Sequence, residues 1–135
     1  RTQFTIQSNI VSNPTTKHFS NIETLNLSYN KIPPSHLNTL SLFFFFLHLD
    51  LESNDLIILP PTLGFLISLE SINLGSNQFS SESVIVDPNS IFKSILEIPR
   101  LKRCNLTRNK FKAIHLEGID SQNLNRLVEF DLSFN

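Results

Sequence analysis

Glycine, cysteine and charge are scarce in this chain, and each scarcity removes a class of function. The 135 residues include only three glycines, Gly64, Gly75 and Gly118. They stand isolated, so no glycine-rich loop is present to cradle a phosphate. The one cysteine, Cys104, cannot form an internal disulfide framework, and it leaves the compartment open. Charged residues are 17% of the chain and the formal net charge is −1. Such a balance gives no overall pull toward nucleic acid or an anionic membrane surface. Long apolar runs are missing as well. The densest stretch, Leu40 to Leu51, is broken by Ser41, His48 and Asp50, and it is shorter than the ~20 residues that cross a bilayer. Membrane insertion is not expected, and no basic-then-apolar leader opens the chain. No serine sits in a nucleophile-elbow context. The four histidines, His18, His36, His48 and His115, lack the spacing of a metal site. No catalytic residue, cofactor or metal is therefore expected, and the chain does not read as an enzyme.

What the chain does contain is one pattern, repeated. An apolar residue is followed by two variable positions, a second apolar, one variable, a third apolar, two variable and an asparagine. A weak first copy runs from Arg1 through Phe4 and Ile6 to Asn9. Clearer copies are Ile22, Leu25, Leu27, Asn30; Phe46, Leu49, Leu51, Asn54; and Leu69, Ile72, Leu74, Asn77. The last two are Leu101, Cys104, Leu106, Asn109 and Leu127, Phe130, Leu132, Asn135. The six asparagines are spaced by 21, 24, 23, 32 and 26 residues, the period of a solenoid. With 40% hydrophobic residues, one elongated core is within reach of a single domain.

Within each copy apolar and polar residues alternate, as in Leu49-Asp50-Leu51. A period of two is a short strand with one face buried. The asparagine can bury its amide and satisfy backbone groups of adjacent turns, which an apolar residue cannot do. Between strands the period lengthens. Leu56, Leu59, Leu63, Leu66 and Leu69 recur every three or four residues, as do Leu37, Leu40, Phe43 and Phe46. These segments are expected to be helical or 3-10 returns. Leu25, Leu27, Leu49, Leu51, Ile72, Leu74, Leu106 and Leu132 should then form one core, with Asn30, Asn54, Asn77 and Asn109 laddered beside it. Cys104 takes an inward place and is expected to be a small core residue. The longest interval carries Asp87-Pro88, an N-cap followed by a first-turn proline, and then Ile91, Phe92, Ile95 and Leu96 on one stripe. An α-helix is expected over about 88–97.

The residues that carry this argument are those of the leucine-rich repeat family, which the chain resembles throughout. Leu69 to Asn77, preceded by Leu59-Pro60-Pro61-Thr62-Leu63, is very close to the family pattern. The resemblance implies an α/β solenoid over residues 1–135, with a parallel sheet on its concave face and short returns on the convex one. It departs from the pattern at Arg1, where the first apolar residue is missing, and at Cys104. The plant-type Gly-x-Ile-Pro element is absent, and the unequal periods are similar to intracellular members. The long arm before Ile98-Pro99-Arg100-Leu101 is similar to the X-ray radiation resistance-associated repeat proteins, some of which occur in ciliated cells. The chain begins within one copy and ends on the asparagine of another, without atypical capping repeats. It reads as a fragment of a longer protein, open at both ends of its stack.

Function is then sought on the open sheet face. Its first two copies present Thr5, Gln7, Thr24, Asn26, Ser28 and Tyr29, all uncharged. The third presents His48, Asp50 and Glu52, the fourth Glu70, Asn73 and Ser76, the fifth Lys102, Arg103 and Arg108, and the sixth Glu129 and Asp131. Charge is banded although the net is near zero, and banding favours a partner of matching pattern. His48, Asp50, Glu52 and Glu70 form either a plain acidic patch or a cluster able to take a cation. Phe44, Phe45 and Leu47 fall out of register with the core. They are either an overfilled arm shielded by the next repeat or an apolar patch that a partner covers. Asn26-Leu27-Ser28 and Asn105-Leu106-Thr107 are glycosylation sequons, a pattern that a chain so rich in Asn, Ser and Thr also produces by chance. The expected function is a non-catalytic protein-interaction module in an intracellular scaffold, in the cytoplasm or a cytoskeletal or ciliary assembly. The alternative is an extracellular receptor ectodomain.

Overall fold

The computed structural model describes residues 5–8, 22–42, 45–82, 90–114 and 116–135. Six short strands form one sheet in chain order: β1 (Thr5–Ser8), β2 (Ile22–Asn26), β3 (His48–Asp50), β4 (Ser71–Asn73), β5 (Arg103–Asn105) and β6 (Glu129–Asp131). β2 to β6 run parallel, with Leu25, Leu49, Ile72, Cys104 and Phe130 in register across them. The same backbone bonds recur from one strand to the next. Leu51 N–H donates to Asn73 O, Leu74 N–H to Asn105 O and Leu106 N–H to Asp131 O, each at 2.8 Å. The expected α/β solenoid, a parallel sheet with short helical returns, is the architecture found.

The first strand departs from expectation. β1 pairs antiparallel with β2, placing Ile6 against Leu25 and Thr5 against Asn26. It is therefore not a sixth parallel copy of the repeat. The reason is visible in the pattern: a strand's alternation reads the same in both directions, and only the leading apolar residue and trailing asparagine fix its sense. Arg1 stands where the leading apolar residue should be, and Asn9 lies outside the described residues.

The returns are short because each has only to carry the chain back past one layer of core. Between β2 and β3, α1 (Pro34–Leu37) continues into a 3-10 turn at Asn38–Leu42. Between β3 and β4 a single 3-10 turn spans Pro61–Phe65. Pro34 and Pro61 open these turns, where a fixed φ helps and the missing N–H is not needed. Leu37, Leu40, Phe46, Leu56, Leu59, Leu63, Leu66 and Leu69 are all buried, as their spacing requires; Phe43 lies outside the described residues. In the enlarged repeat α2 (Ser90–Leu96) buries Ile91, Phe92, Ile95 and Leu96. This is the helix expected over 88–97; its expected start at Asp87 and Pro88 lies outside the described residues. The Arg126 guanidinium donates to Leu96 O at 2.8 Å and closes its C-terminal turn. The Phe92 ring lies 5.2 Å from that of Phe111 and 6.2 Å from that of Phe130, tying the helix to β6. The last return holds α3 (Ser121–Leu124), with the Asp120 carboxylate accepting from Gln122 N–H at its start.

One hydrophobic core runs along the stack from Leu27 to Phe111, and Leu49, Leu51, Ile72, Leu74, Cys104 and Leu106 sit in it. Leu25 and Leu132 are only half-buried and pack against its ends, where fewer layers enclose them.

Candidate functional site

Two ladders of side chains hold the open sheet face in shape. The first is the asparagine ladder. Asn77 is buried, and its Nδ2 donates to Leu74 O and Gly75 O in its own turn and to Leu51 O in the preceding one, at 3.0 to 3.1 Å. Its Oδ1 accepts from the N–H groups of Asn54 and Leu56, both at 3.0 Å. Asn54 and Asn109 repeat this arrangement, and Asn135 follows it at the last strand. Each amide thus uses donor and acceptor to fasten adjacent repeats. The residue before each asparagine must turn sharply: Tyr29, Ser53, Ser76, Arg108 and Phe134 all lie in the left-handed region, with φ of 53 to 59°. None is glycine, so every turn carries a steric cost that the ladder offsets.

The second ladder was not legible in advance as structure. Asn26, Asp50, Asn73, Asn105 and Asp131 occupy equivalent places, and each accepts through Oδ1 the N–H two residues on, at 2.8 to 3.1 Å. These Asx turns bend the chain out of each strand. The two sequons fall on such turns, with Asn26 and Ser28, and Asn105 and Thr107, as their two ends. Gly75 takes the corresponding place after β4 and is closely packed there. A Cβ added to it would lie 3.1 Å from Thr107 Oγ1 and 3.2 Å from Asn73 Oδ1.

The strand register sets the solvent-facing residues in rows. One row runs Thr24, His48, Ser71, Arg103, Glu129, and the next runs Asn26, Asp50, Asn73, Asn105, Asp131. The charged members differ in how far they are already satisfied. Lys102 Nζ meets Glu70 Oε1 at 3.0 Å across β4 and β5, so the acidic and basic bands touch at this point and cancel. The Lys102 ammonium holds the Glu70 carboxyl below its ordinary range, helped by Arg103 and His48. Arg108 lies over the Phe134 ring, 5.7 Å from its centroid. Asp131 is held below the ordinary carboxylate range by the Ser133 N–H and hydroxyl, which both donate to it. Glu52 accepts from Asn73 Nδ2 at 3.3 Å. Arg103 and Glu129, although in register, form no ion pair. Among the described residues no group of three or more His, Cys, Asp and Glu side chains converges as a metal site would require. Of the acidic group around His48, Glu70 is paired with Lys102. Cys104 is buried in the core, where burial pushes its thiol far up, so it is a packing residue and not a nucleophile.

The apolar contact read from Phe44, Phe45 and Leu47 lies only partly within the described residues. Leu47 belongs to the sheet side and is half-buried. Its backbone repeats the bonds of Glu70 and Lys102, with Leu47 N–H donating to Glu23 O and Leu47 O accepting from Glu70 N–H. Phe45 is exposed on the arm, and Phe44 lies outside the described residues. The larger exposed apolar side chains of the arms are Leu42 at 69% and Phe65 at 65%, with Ile57 and Ile67 beside them in sequence. They were missed because each lies between the leucines that define the core spacing. No helix among the described residues is long and apolar enough to cross a membrane.

The Leucine Rich Repeat family model matches residues 21–43, the unit that opens at β2. The later strands repeat that unit's register and asparagine turn, so the array as a whole is similar to a leucine-rich repeat solenoid. No curated protein matches the chain.

Proposed function

We propose that this leucine-rich repeat array is a non-catalytic protein-interaction module that binds its partner on the concave sheet face. Arrays of this family generally bind proteins. The observation that carries the choice of face is the parallel register, which sets the outward residues of five strands into straight rows fastened by two side-chain ladders. A surface held this rigidly is preorganised, so a partner bound there loses little to ordering of the array. The unequal periods and the long arm before Leu101 favour an intracellular scaffold, in the cytoplasm or in a cytoskeletal or ciliary assembly. The test is photo-crosslinking in cells, with the reactive residue placed at Thr24 or Ser71 on the sheet or at Phe65 or Ile67 on the arms. Capture of a discrete partner from the sheet positions alone supports this reading; capture from the arms alone moves the binding surface to the convex side.

The two sequons support a second reading, an extracellular ligand-recognition domain. Secretion of the chain from mammalian cells with a glycan mass on Asn26 or Asn105 favours it. An unmodified secreted product disfavours it.

A further inference from the structure

Resting on the concave-face reading above, we propose that the partner presents a polypeptide segment running across the strands, with a basic side chain over β3 and an acidic one over β5. Removing the charges that are already satisfied makes this pattern visible. Glu70 and Lys102 neutralise each other at 3.0 Å, and Arg108 is engaged with the Phe134 ring. On β3, Asp50 and Glu52 remain. Their hydrogen bonds come from a backbone N–H and an amide, and neither carboxylate has a cationic partner among the described residues. On β4, the outward Ser71 and Asn73 carry no charge. On β5, Arg103 is exposed and makes no ion pair or side-chain hydrogen bond among the described residues. Its register neighbour on β6, Glu129, is also exposed and without an ion pair. Across β3, β4, β5 and β6 the uncompensated charge therefore runs negative, neutral, positive, negative.

A complementary segment runs positive, neutral, negative, positive. Neighbouring strands lie ~4.8 Å apart, so the charges facing β3 and β5 stand about 10 Å from each other. In a polyproline II chain, rising ~3.1 Å per residue with three residues per turn, that is about three residues, and side chains three apart face the same side. A segment with the signs reversed meets like charge at every charged strand, which is how the face discriminates. Glu129, in register beside Arg103, repels an incoming carboxylate, so its removal should strengthen that contact.

The test is titration of the isotopically labelled 135-residue chain with acetylated Gly/Ser peptides, followed by amide chemical shifts. One peptide carries Lys and Asp three positions apart; the others carry two Lys, two Asp, or no charge. The Lys/Asp peptide is expected to move β3 and β5 amides and to bind on the order of two- to fivefold more tightly than the others, the scale of exposed ion pairs. Arg103→Glu is expected to transfer the preference to the two-Lys peptide, and Glu129→Gln to tighten the Lys/Asp peptide. Equal affinity for all peptides, indifference to Arg103→Glu, or no shift at millimolar peptide overturns the charge pattern while leaving the crosslinking test of the face intact. Shifts confined to Leu42, Phe65 and Ile67 overturn the concave-face reading itself.

Discussion

At the scale of single residues, the asparagines and leucines of the repeat hold the array in different ways, and substitution separates them. Asn54 is buried and donates to Leu27 O, Leu51 O and Glu52 O at 2.9 to 3.2 Å, while its Oδ1 accepts from Ile32 N–H. Asn54→Leu takes one donor from Leu27 O, Leu51 O and Glu52 O, which keep Asn30, Asn77 and Tyr29 N–H respectively, and leaves the Ile32 N–H without its acceptor, at about 1–3 kcal/mol if that group finds no water. Leu74→Ala instead removes a fully buried side chain and should cost ~2–5 kcal/mol through lost burial and a cavity. Chemical denaturation of both variants gives the comparison: both midpoints should fall, and a neutral Asn54→Leu overturns the account of the ladder. Both roles were legible in the sequence because each type recurs at one place in every copy. The second ladder was not. From sequence Asp50, Asn73 and Asp131 read as open-face residues, since a polar residue on an exposed row looks the same whether it serves solvent, a partner or its own turn.

At the scale of elements, neighbouring strands are coupled through side chains as well as backbone, and the coupling has a pH signature. Glu70 on the β4 side is hydrogen-bonded by Lys102 on the β5 side, and its carboxyl lies below its ordinary value of 4.5. A carboxyl with a depressed folded pKa contributes stability that is present above the unfolded value and lost as pH falls through the folded one. Melting temperature should therefore decline from about pH 4.5 downward in part through this pair. Glu70→Gln should lower stability slightly at neutral pH and flatten that part of the acid limb. An unaltered acid limb in the variant shows the pair to be too solvent-screened to matter. The elements themselves were readable where a period persisted. The arm leucines from Leu56 to Leu69 and the stripe from Ile91 to Leu96 specify their returns. The direction of β1 was not readable, since its alternation around Ile6 carries no sense of direction without the leading apolar residue.

At the scale of the whole molecule, the two outer strands of the sheet are covered differently, and this bears on self-association. On one side antiparallel β1 covers the edge of β2. On the other, β6 pairs with β5 alone among the described residues. Its inward Phe130 is 36% exposed, and Val128 and Phe134 flanking it are 81% and 79% exposed. An edge strand with unpaired backbone groups and apolar side chains is a template for pairing with another chain. Glu129 and Asp131 are the charges on β6 that oppose such pairing, by like-charge contact between two copies brought edge to edge. The 135-residue chain is therefore expected to self-associate through β6, more strongly at a pH acid enough to protonate Asp131, whose carboxyl is held below its ordinary range, than at neutral pH. Sedimentation velocity across a concentration series reads this directly. The sedimentation coefficient should rise with concentration for the parent chain and stay constant for Val128→Lys with Phe134→Lys, which adds charge at the edge without touching the buried core. A parent chain that remains monomeric at every concentration, at neutral and acid pH alike, shows that the two acidic residues and the short strand already suffice to protect the edge.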